Sequence, residues 1–364
     1  MAFAARLFPG WRVCAKTQRT RFVLLALVLL LAFLAFLSID KGAVEISLAQ
    51  CVSIIGRRIN LYLPWDFTAQ QEATLINIRL PRVMLGLLVG AGLGVSGAAM
   101  QGLFRNPLAD PSLIGISSGA ALAATMVVII GDVVSFTLPR VLQLFAFPAA
   151  AFVGALVTTL LIYRLATIAG QTIVATLLLA GIAINALAQA FSGFLTFYAT
   201  DTQIRSLTFW KLGSLGGANW LALITAAPFI LVPVALFPGL ARALNALLLG
   251  ESEAGHLGFD IERIKRRIVV LVALAVGASV AVAGLISFVG LVVPHLLRLI
   301  VGPDHRALLP GSALLGACLL LCADLIARTI VAPAELPSGV LTAISGAPFF
   351  LWLLLRDRKW RTIH

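Results

Sequence analysis

The chain has 364 residues, of which 60% are hydrophobic and only 12% charged, and its 27 Lys and Arg against 15 Asp and Glu give a formal net charge of +12. With a mean hydropathy of +1.04, this composition excludes a soluble globular domain. The basic residues flank apolar runs and no recognition motif accompanies them, which excludes nucleic-acid binding.

The remaining class is an all-α polytopic membrane protein, a single transmembrane domain over residues 1–364, in which uncharged runs of about 17 to 25 residues can cross the hydrocarbon. The first run, near 22–39, follows five basic residues (Arg6, Arg12, Lys16, Arg19, Arg21) as a signal sequence would. It is longer than an ordinary signal core and no small-x-small cleavage site follows Ser38, so it reads as a retained helix. The outer loop 40–78 then carries ISLAQCVSIIGRR, a short interfacial helix, and an aromatic, proline-bearing turn from Tyr62 to Trp65.

The second run, 83–104, places Gly86, Gly90, Gly94, Ala98 and Gly102 at every fourth position. One stripe of that helix lacks bulky side chains, so a neighbouring helix can approach backbone to backbone. Arg79 and Arg82 stand at its outer mouth, and Arg328 stands at the outer end of a later run, 312–331. Cations there run against the positive-inside bias. An arginine fork suits carboxylates presented by another protein; interfacial snorkelling is the alternative. Asp324, one turn before Arg328, reads as its local ion-pair partner.

Further runs follow near 113–131, 141–163 and 173–198. The last carries Asn185 and Gln189 one turn apart, then Phe191, Phe194, Phe197 and Tyr198. Those amides suit hydrogen bonding between helices or a weakly polar pathway for a large, mostly apolar solute. After a run at 221–238, the segment 239–267 is the largest cytoplasmic connection. Its middle, GESEAGHLGFDIERIKRR, is dense in charge and bracketed by glycines, the one inner segment a partner could grip.

Between Arg267 and Arg298 lies an uncharged stretch too long for one span and short for two, with Gly284 and Gly290 as places to turn. The last runs are 312–331 and 338–355. Both termini are basic, the C-terminus through Arg356, Arg358, Lys359 and Arg361. Both should therefore face the cytoplasm, which requires an even number of spans. Ten satisfies this, and it puts two thirds of the Lys and Arg inside. A shift of 187 residues matches Val89, Gly90, Gly97 and Pro107 with Val276, Gly277, Gly284 and Pro294, the trace of an inverted repeat.

Motifs for chemistry are weak. GISSG (115–119) and GVSG (94–97) resemble serine-hydrolase patterns around Ser117 and Ser96, but they lack the strand-turn-helix context such a nucleophile needs, and small-residue packing explains them. His256, His295, His305 and His364 have no ligand spacing; His295 and His305 read as parts of a cytoplasmic corner. Cys14, Cys51, Cys318 and Cys322 offer no disulfide pair across compartments. No P-loop is present, so energy must come from a partner or an ion gradient. A gradient-driven carrier would be expected to hold ionisable groups deep in its spans, and these are nearly absent.

The motifs RLPR (79–82), SGAAMQGLFRNPLADP (96–111), SFVGLVVPHLLR (287–298), DHRALLPG (304–311), ADLIAR (323–328) and AELPSGVLTAISGAPFFLWLL (334–354) together resemble the FecCD-like permeases of type II ABC importers for cobalamin, ferric siderophores and haem. The resemblance covers nearly the whole chain. It implies ten helices, a homodimer enclosing the pathway, two cytoplasmic ATPase subunits and a periplasmic binding protein, in a bacterial inner membrane. The chain itself is then not an enzyme and binds no cofactor, ATP and Mg belonging to the ATPase.

By the same resemblance, Arg79, Arg82 and Arg328 meet acidic residues of the binding protein. Leu249, Gly250, Glu251, Glu253, His256, Leu257 and Gly258 form the coupling contact with the ATPase. Asn106, Pro107 and Leu108, with Gln171 and Thr172, lie at the cytoplasmic gate. The segments LIGISSGAALAA and ATDTQIRSLTFWKLGSLGG look most like haem permeases, so haem is the expected cargo, with a ferric siderophore or cobalamin as the alternative. An ATPase-independent secondary carrier is the rival class.

Overall fold

A computed structural model describes residues 9–42, 44–135, 139–331 and 334–361. Arg6 and His364 lie outside the described residues, as do the side chains of Arg12, Cys14, Lys16 and the basic residues from Arg356 onward. Helix α1 covers Pro9–Asp40, and α2 (Leu48–Arg58) is the interfacial helix of the outer loop, opened by a capping box of Ser47 and Gln50. Another capping box, Thr68 with Gln71, starts α3 (Ala69–Thr74). A π-type turn at Leu75–Arg79 joins it without a break to α4 (Leu80–Leu103).

This continuous 35-residue helix extends outward past Arg79 and Arg82, the residues expected at the mouth of the span. The cap sits more than two turns further out, so both arginines lie within the helix, Arg79 against the end of α1 and the outer loop.

A 3-10 turn, Pro111–Ile114, ends on Gly115 at φ 82, and α5 begins only at Ile116, running to Ser135. Next come α6 (Arg140–Leu165), a hairpin of β1 (Thr167–Ile168) and β2 (Gln171–Thr172), and α7 (Val174–Phe197). Helix α8 (Asp201–Lys211) precedes α9 (Trp220–Leu236), which passes through a 3-10 turn, Phe237–Leu240, into α10 (Ala241–Leu247). Then follow α11 (Glu251–His256), α12 (Ile261–Ala283), α13 (Val289–Val301), α14 (His305–Thr329) and α15 (Ser338–Arg361).

Among the described residues seven helices are long and apolar enough to cross a membrane, with three shorter apolar helices at Ile116–Gly131, Val289–Val301 and Ser338–Trp352. The ambiguous stretch is thus resolved into two helices that part at Gly284 (φ 70). The second, of 13 residues, is only about 20 Å long, against a hydrocarbon core of about 30 Å. Its length explains why hydropathy alone could not decide the count. The proposed repeat diverges at the same point, because Gly97 is in mid-helix whereas its counterpart Gly284 ends α12.

Helices α4 and α12 form the centre: 78% and 72% of their apolar windows are buried, against 6% for α1 and 17% for α7. Helix α14 lies along α4, and α12 packs between α4 and α6. The glycine stripe does what its spacing predicts. A methyl group at Gly90 would strike the backbone of Gly316, and one at Gly94 would overlap the Ser312 carbonyl, both on α14. Gly97 meets Gly290 of α13 in the same way. Gly94 and Gly97, the glycines flanking Ser96, are therefore packing residues.

Candidate functional site

The chemistry-bearing side chains gather in three places. At the outer end, Arg79 donates to the backbone carbonyls of Ile39, Asp40 and Val44, closing the end of α1 over the helix. One turn on, the Arg82 guanidinium faces two carboxylates. Its Nη2 and Nε donate to Asp324 at 2.9 and 3.0 Å, and its Nη1 donates to Glu335 at 2.9 Å. Arg328 donates to the Ser38 carbonyl and lies 3.9 Å from Asp324.

All three guanidiniums are buried, whereas the Glu335 side chain is 45% exposed. The structure therefore places the expected arginine fork inside the chain, with Glu335 as its exposed member. The expected Asp324–Arg328 pair is present at 3.9 Å, and Asp324 has a second, shorter partner in Arg82, which stands 242 residues away. Two charges buried in this way are tolerated because the planar guanidinium is matched bidentately and its donors are satisfied.

In the middle, a cleft of about 620 Å³ is lined by Ser112, Ser117, Ser118, Asn185, Gln189 and Lys211, among others. Helix α7 supplies both amides, as the sequence suggested. Asn185 also acts as a knot, accepting from Ser118 and donating to the Ser112 carbonyl, which ties α7 to the start of α5. The other face of α7 exposes Leu179, Ile182, Leu187, Phe191, Phe194 and Phe197. Ser117 lines this cleft, while Ser96 is fully buried in α4. His295 rests against Phe349, at 6.3 Å between ring centroids, and His305 is buried at the head of α14. Among the described residues no cluster of His, Cys, Asp and Glu is arranged to hold a metal.

At the inner end the expected coupling segment is a short projection. Leu247 and Ala254 anchor it in the interior, Gly250 (φ 129) and Gly258 (φ 85) turn the chain, and Glu253, His256 and Gly258 are exposed. Its apolar tips, Leu249 and Leu257, are 69% and 62% exposed. At its base Asn245 donates to Asp304 at 2.7 Å, and its oxygen accepts from the His305 amide. Burial pushes the Asp304 carboxyl up, but hydrogen bonds from the Arg306 amide and Asn245 outweigh this and hold it below the usual aspartate range.

The residues expected at the gate fall on two corners. Asn106, Pro107 and Leu108 form an exposed turn after α4 in which the Asn106 side chain accepts from the Leu108 amide. Gln171 and Thr172 are strand β2 of the hairpin, whose two-residue turn, Ala169–Gly170, has both residues at positive φ (51 and 79). This is the turn that matches strand twist, and it ordinarily favours Asn-Gly. A second cleft beside the hairpin is lined by Arg105, Gln171, Thr172, Glu251, Glu262 and Lys265, among others; of the first corner it reaches only the residue before Asn106.

Lys265 and Glu262 were missed in the sequence. Lys265 is 2% exposed and its ammonium has three acceptors: Glu251 at 2.6 Å, the Thr172 carbonyl at 2.7 Å and Glu262 at 3.1 Å. Glu262 in turn accepts from the Thr172 amide at 2.8 Å. The i,i+3 spacing of Glu262 and Lys265 was the available signal. An ammonium has three donors, so this cation is fully satisfied, and leaving one donor unmet in such a site costs about 1–3 kcal/mol.

Residues 29–356 match the FecCD transport family. The hemin transport system permease protein HmuU of Yersinia pestis is 48% identical over 345 residues, 94% of this chain and 98% of that protein. The cobalamin import system permease protein BtuC of Halobacterium salinarum is 45% identical over 302 residues, 82% of this chain and 78% of that one. Among solved structures, an inward-facing metal-chelate type ABC transporter is similar with a TM-score of 0.79 at 30% identity, covering 92% of this chain and 99% of that chain.

Proposed function

The chain belongs to the FecCD transport family, and from that premise we propose that it moves haem across the inner membrane. It is the permease subunit of a type II ABC importer and a multi-pass membrane protein; ATP hydrolysis belongs to its partner ATPase. Support for haem comes from the near full-length likeness to a hemin permease. Cobalamin is the second reading, favoured by the nearly equal likeness to a cobalamin permease over a shorter stretch.

In this reading two copies of the chain enclose the pathway, with Asn185 and Gln189 of α7 lining it. The neutral hydroxyls and amides there contact the cargo without a strong ligand that would retain it. Leu249, Gly250, Glu251, Glu253, His256, Leu257 and Gly258 sit against the ATPase, which holds ATP and Mg, while the chain itself binds no cofactor. The corners at Asn106 to Leu108 and at Gln171 and Thr172 form the inner gate. On the outside, a carboxylate of the periplasmic binding protein takes the place of Glu335 on Arg82, with Arg79 and Arg328 fixing the helices around it.

The test is uptake into proteoliposomes holding this chain and its ATPase, with binding protein loaded with haem, a ferric siderophore or cobalamin. ATP-dependent uptake of haem alone is expected. Uptake of another cargo overturns the haem assignment, and uptake that ignores ATP and follows a proton gradient overturns the importer mechanism. Arg82→Glu in the same vesicles should abolish binding-protein docking; unaltered docking would remove Arg82 from the docking face.

A further inference from the structure

We infer that Lys265 is a positioning residue that couples the cytoplasmic projection to the gate hairpin, its buried ammonium serving as the joint between α11 and β2. The inference rests on the reading of the projection as facing the ATPase and of the hairpin as part of the gate. Among the described residues no hydrogen bond joins α11 to the hairpin directly; the connection runs from Glu251 through the Lys265 ammonium to the Thr172 carbonyl. Glu262 completes the clamp by holding both the ammonium and the Thr172 amide, so both backbone polar groups of one gate residue are held by a single charge pair.

The clamp is asymmetric. Lys265 is sealed off, while Glu251 and Glu262 keep 39% and 33% of their side-chain surface exposed at the second cleft. Glu251 is the first residue of the six-residue α11, directly after Gly250 at φ 129, which is a place for the chain to swivel. If α11 is pushed or turned, Glu251 carries the ammonium with it, and the force reaches Thr172 because every other acceptor of Lys265 is on Thr172 or on the residue that holds it. Thr172 in turn touches Tyr163 and Thr167 through its hydroxyl, so the hairpin responds as a unit.

The experiment uses the full importer in proteoliposomes and compares Lys265→Met, Glu251→Gln and the double variant, scoring uptake per ATP hydrolysed. Each single variant should lower that ratio roughly tenfold, because both weaken the Glu251–Lys265 charge-assisted contact on which the joint depends, and the double variant should be no worse than Lys265→Met alone because that substitution already breaks the joint. A spin label at Ile168→Cys should lose its response to nucleotide in the variants. Additive losses, or a ratio equal to that of the unaltered chain, overturn the proposal. If Lys265→Met fails to assemble, the half-exposed Glu251→Gln carries the test. A crosslink from Ser252→Cys to the ATPase checks the premise separately: its absence in the otherwise unaltered chain overturns the reading of the projection, and the proposal with it, whereas its presence with an unaltered ratio overturns the proposal alone.

Discussion

The two ends of this permease each bury one cation between two carboxylates, Arg82 between Asp324 and Glu335 outside, and Lys265 between Glu251 and Glu262 inside. The outer group has two further buried arginines beside it, Arg79 and Arg328, and the mechanics of the two ends differ. Arg82 locks a rigid planar fork onto Asp324, which joins two long helices, α4 and α14, that already pack backbone to backbone along the glycine stripe. Lys265 is a point charge with three donors, and it joins α12 to a six-residue helix and a two-stranded hairpin. A fork between packed helices resists motion; a point charge between short elements passes it on.

The comparison can be broken most directly at Arg82. Arg82→Ala takes from Asp324, which is 2% exposed, its short bidentate partner and leaves it only Arg328 at 3.9 Å, and removing one partner of a buried pair costs about 3–5 kcal/mol. A large drop in melting temperature in detergent is expected, and a melting temperature within a degree of the parent would mean the outer cluster is not a scaffold. Lys265→Met should cost less, about 1–3 kcal/mol, because Glu251 and Glu262 can recover water at the cleft. If it destabilised the chain as much as Arg82→Ala, the distinction between the two ends would be lost.

The hairpin sharpens the comparison further. Ala169 holds a left-handed conformation that costs a non-glycine residue about 1–2 kcal/mol, so Ala169→Gly should stabilise the hairpin by up to about 1 kcal/mol once the entropy of glycine is counted. Slower hydrogen exchange of the Ile173 amide, which donates to the Ala166 carbonyl at the hairpin base, would register it; faster exchange would contradict it. The smallest effect concerns acid. The folded-state pKa of Asp304 is depressed, so its contribution is present above the ordinary aspartate value of about 3.9 and is lost as pH falls through the lower folded value. Asp304→Asn should flatten the loss of stability at that acid edge and leave the melting curve near neutral pH with only a small offset.

Much of this arrangement was legible where the pattern is local. The four-residue glycine spacing of α4 needs no knowledge of its partner to predict close approach, and the glycine-bracketed, charged segment after Leu249 announces a projection wherever it points. The partners of the arginines were not legible. Arg82 and Asp324 are 242 residues apart, and their meeting depends on α4 lying along α14. The positive-inside count noticed that the arginines were out of place but could not say what neutralised them. The hairpin escaped because two residues per strand are too few to show alternation, although Ala-Gly was a turn signal. Lys265 escaped because a Lys in a charged run reads as solvated until its acceptors, 14 and 93 residues away, are in place.

Helix α13 carries a consequence for biogenesis. At 13 residues it cannot leave the secretion machinery and stand alone in lipid, because its ends would put unpaired backbone groups in hydrocarbon. It has to enter together with older parts of the chain, onto a seat already prepared by α4. There Gly97 receives the Gly290 backbone, and the buried Gln101 donates to the Leu291 carbonyl at 3.1 Å. The order of synthesis, α4 long before α13, is therefore the order in which the protein can be inserted, and a permuted gene that encoded α13 first would leave that helix without a berth.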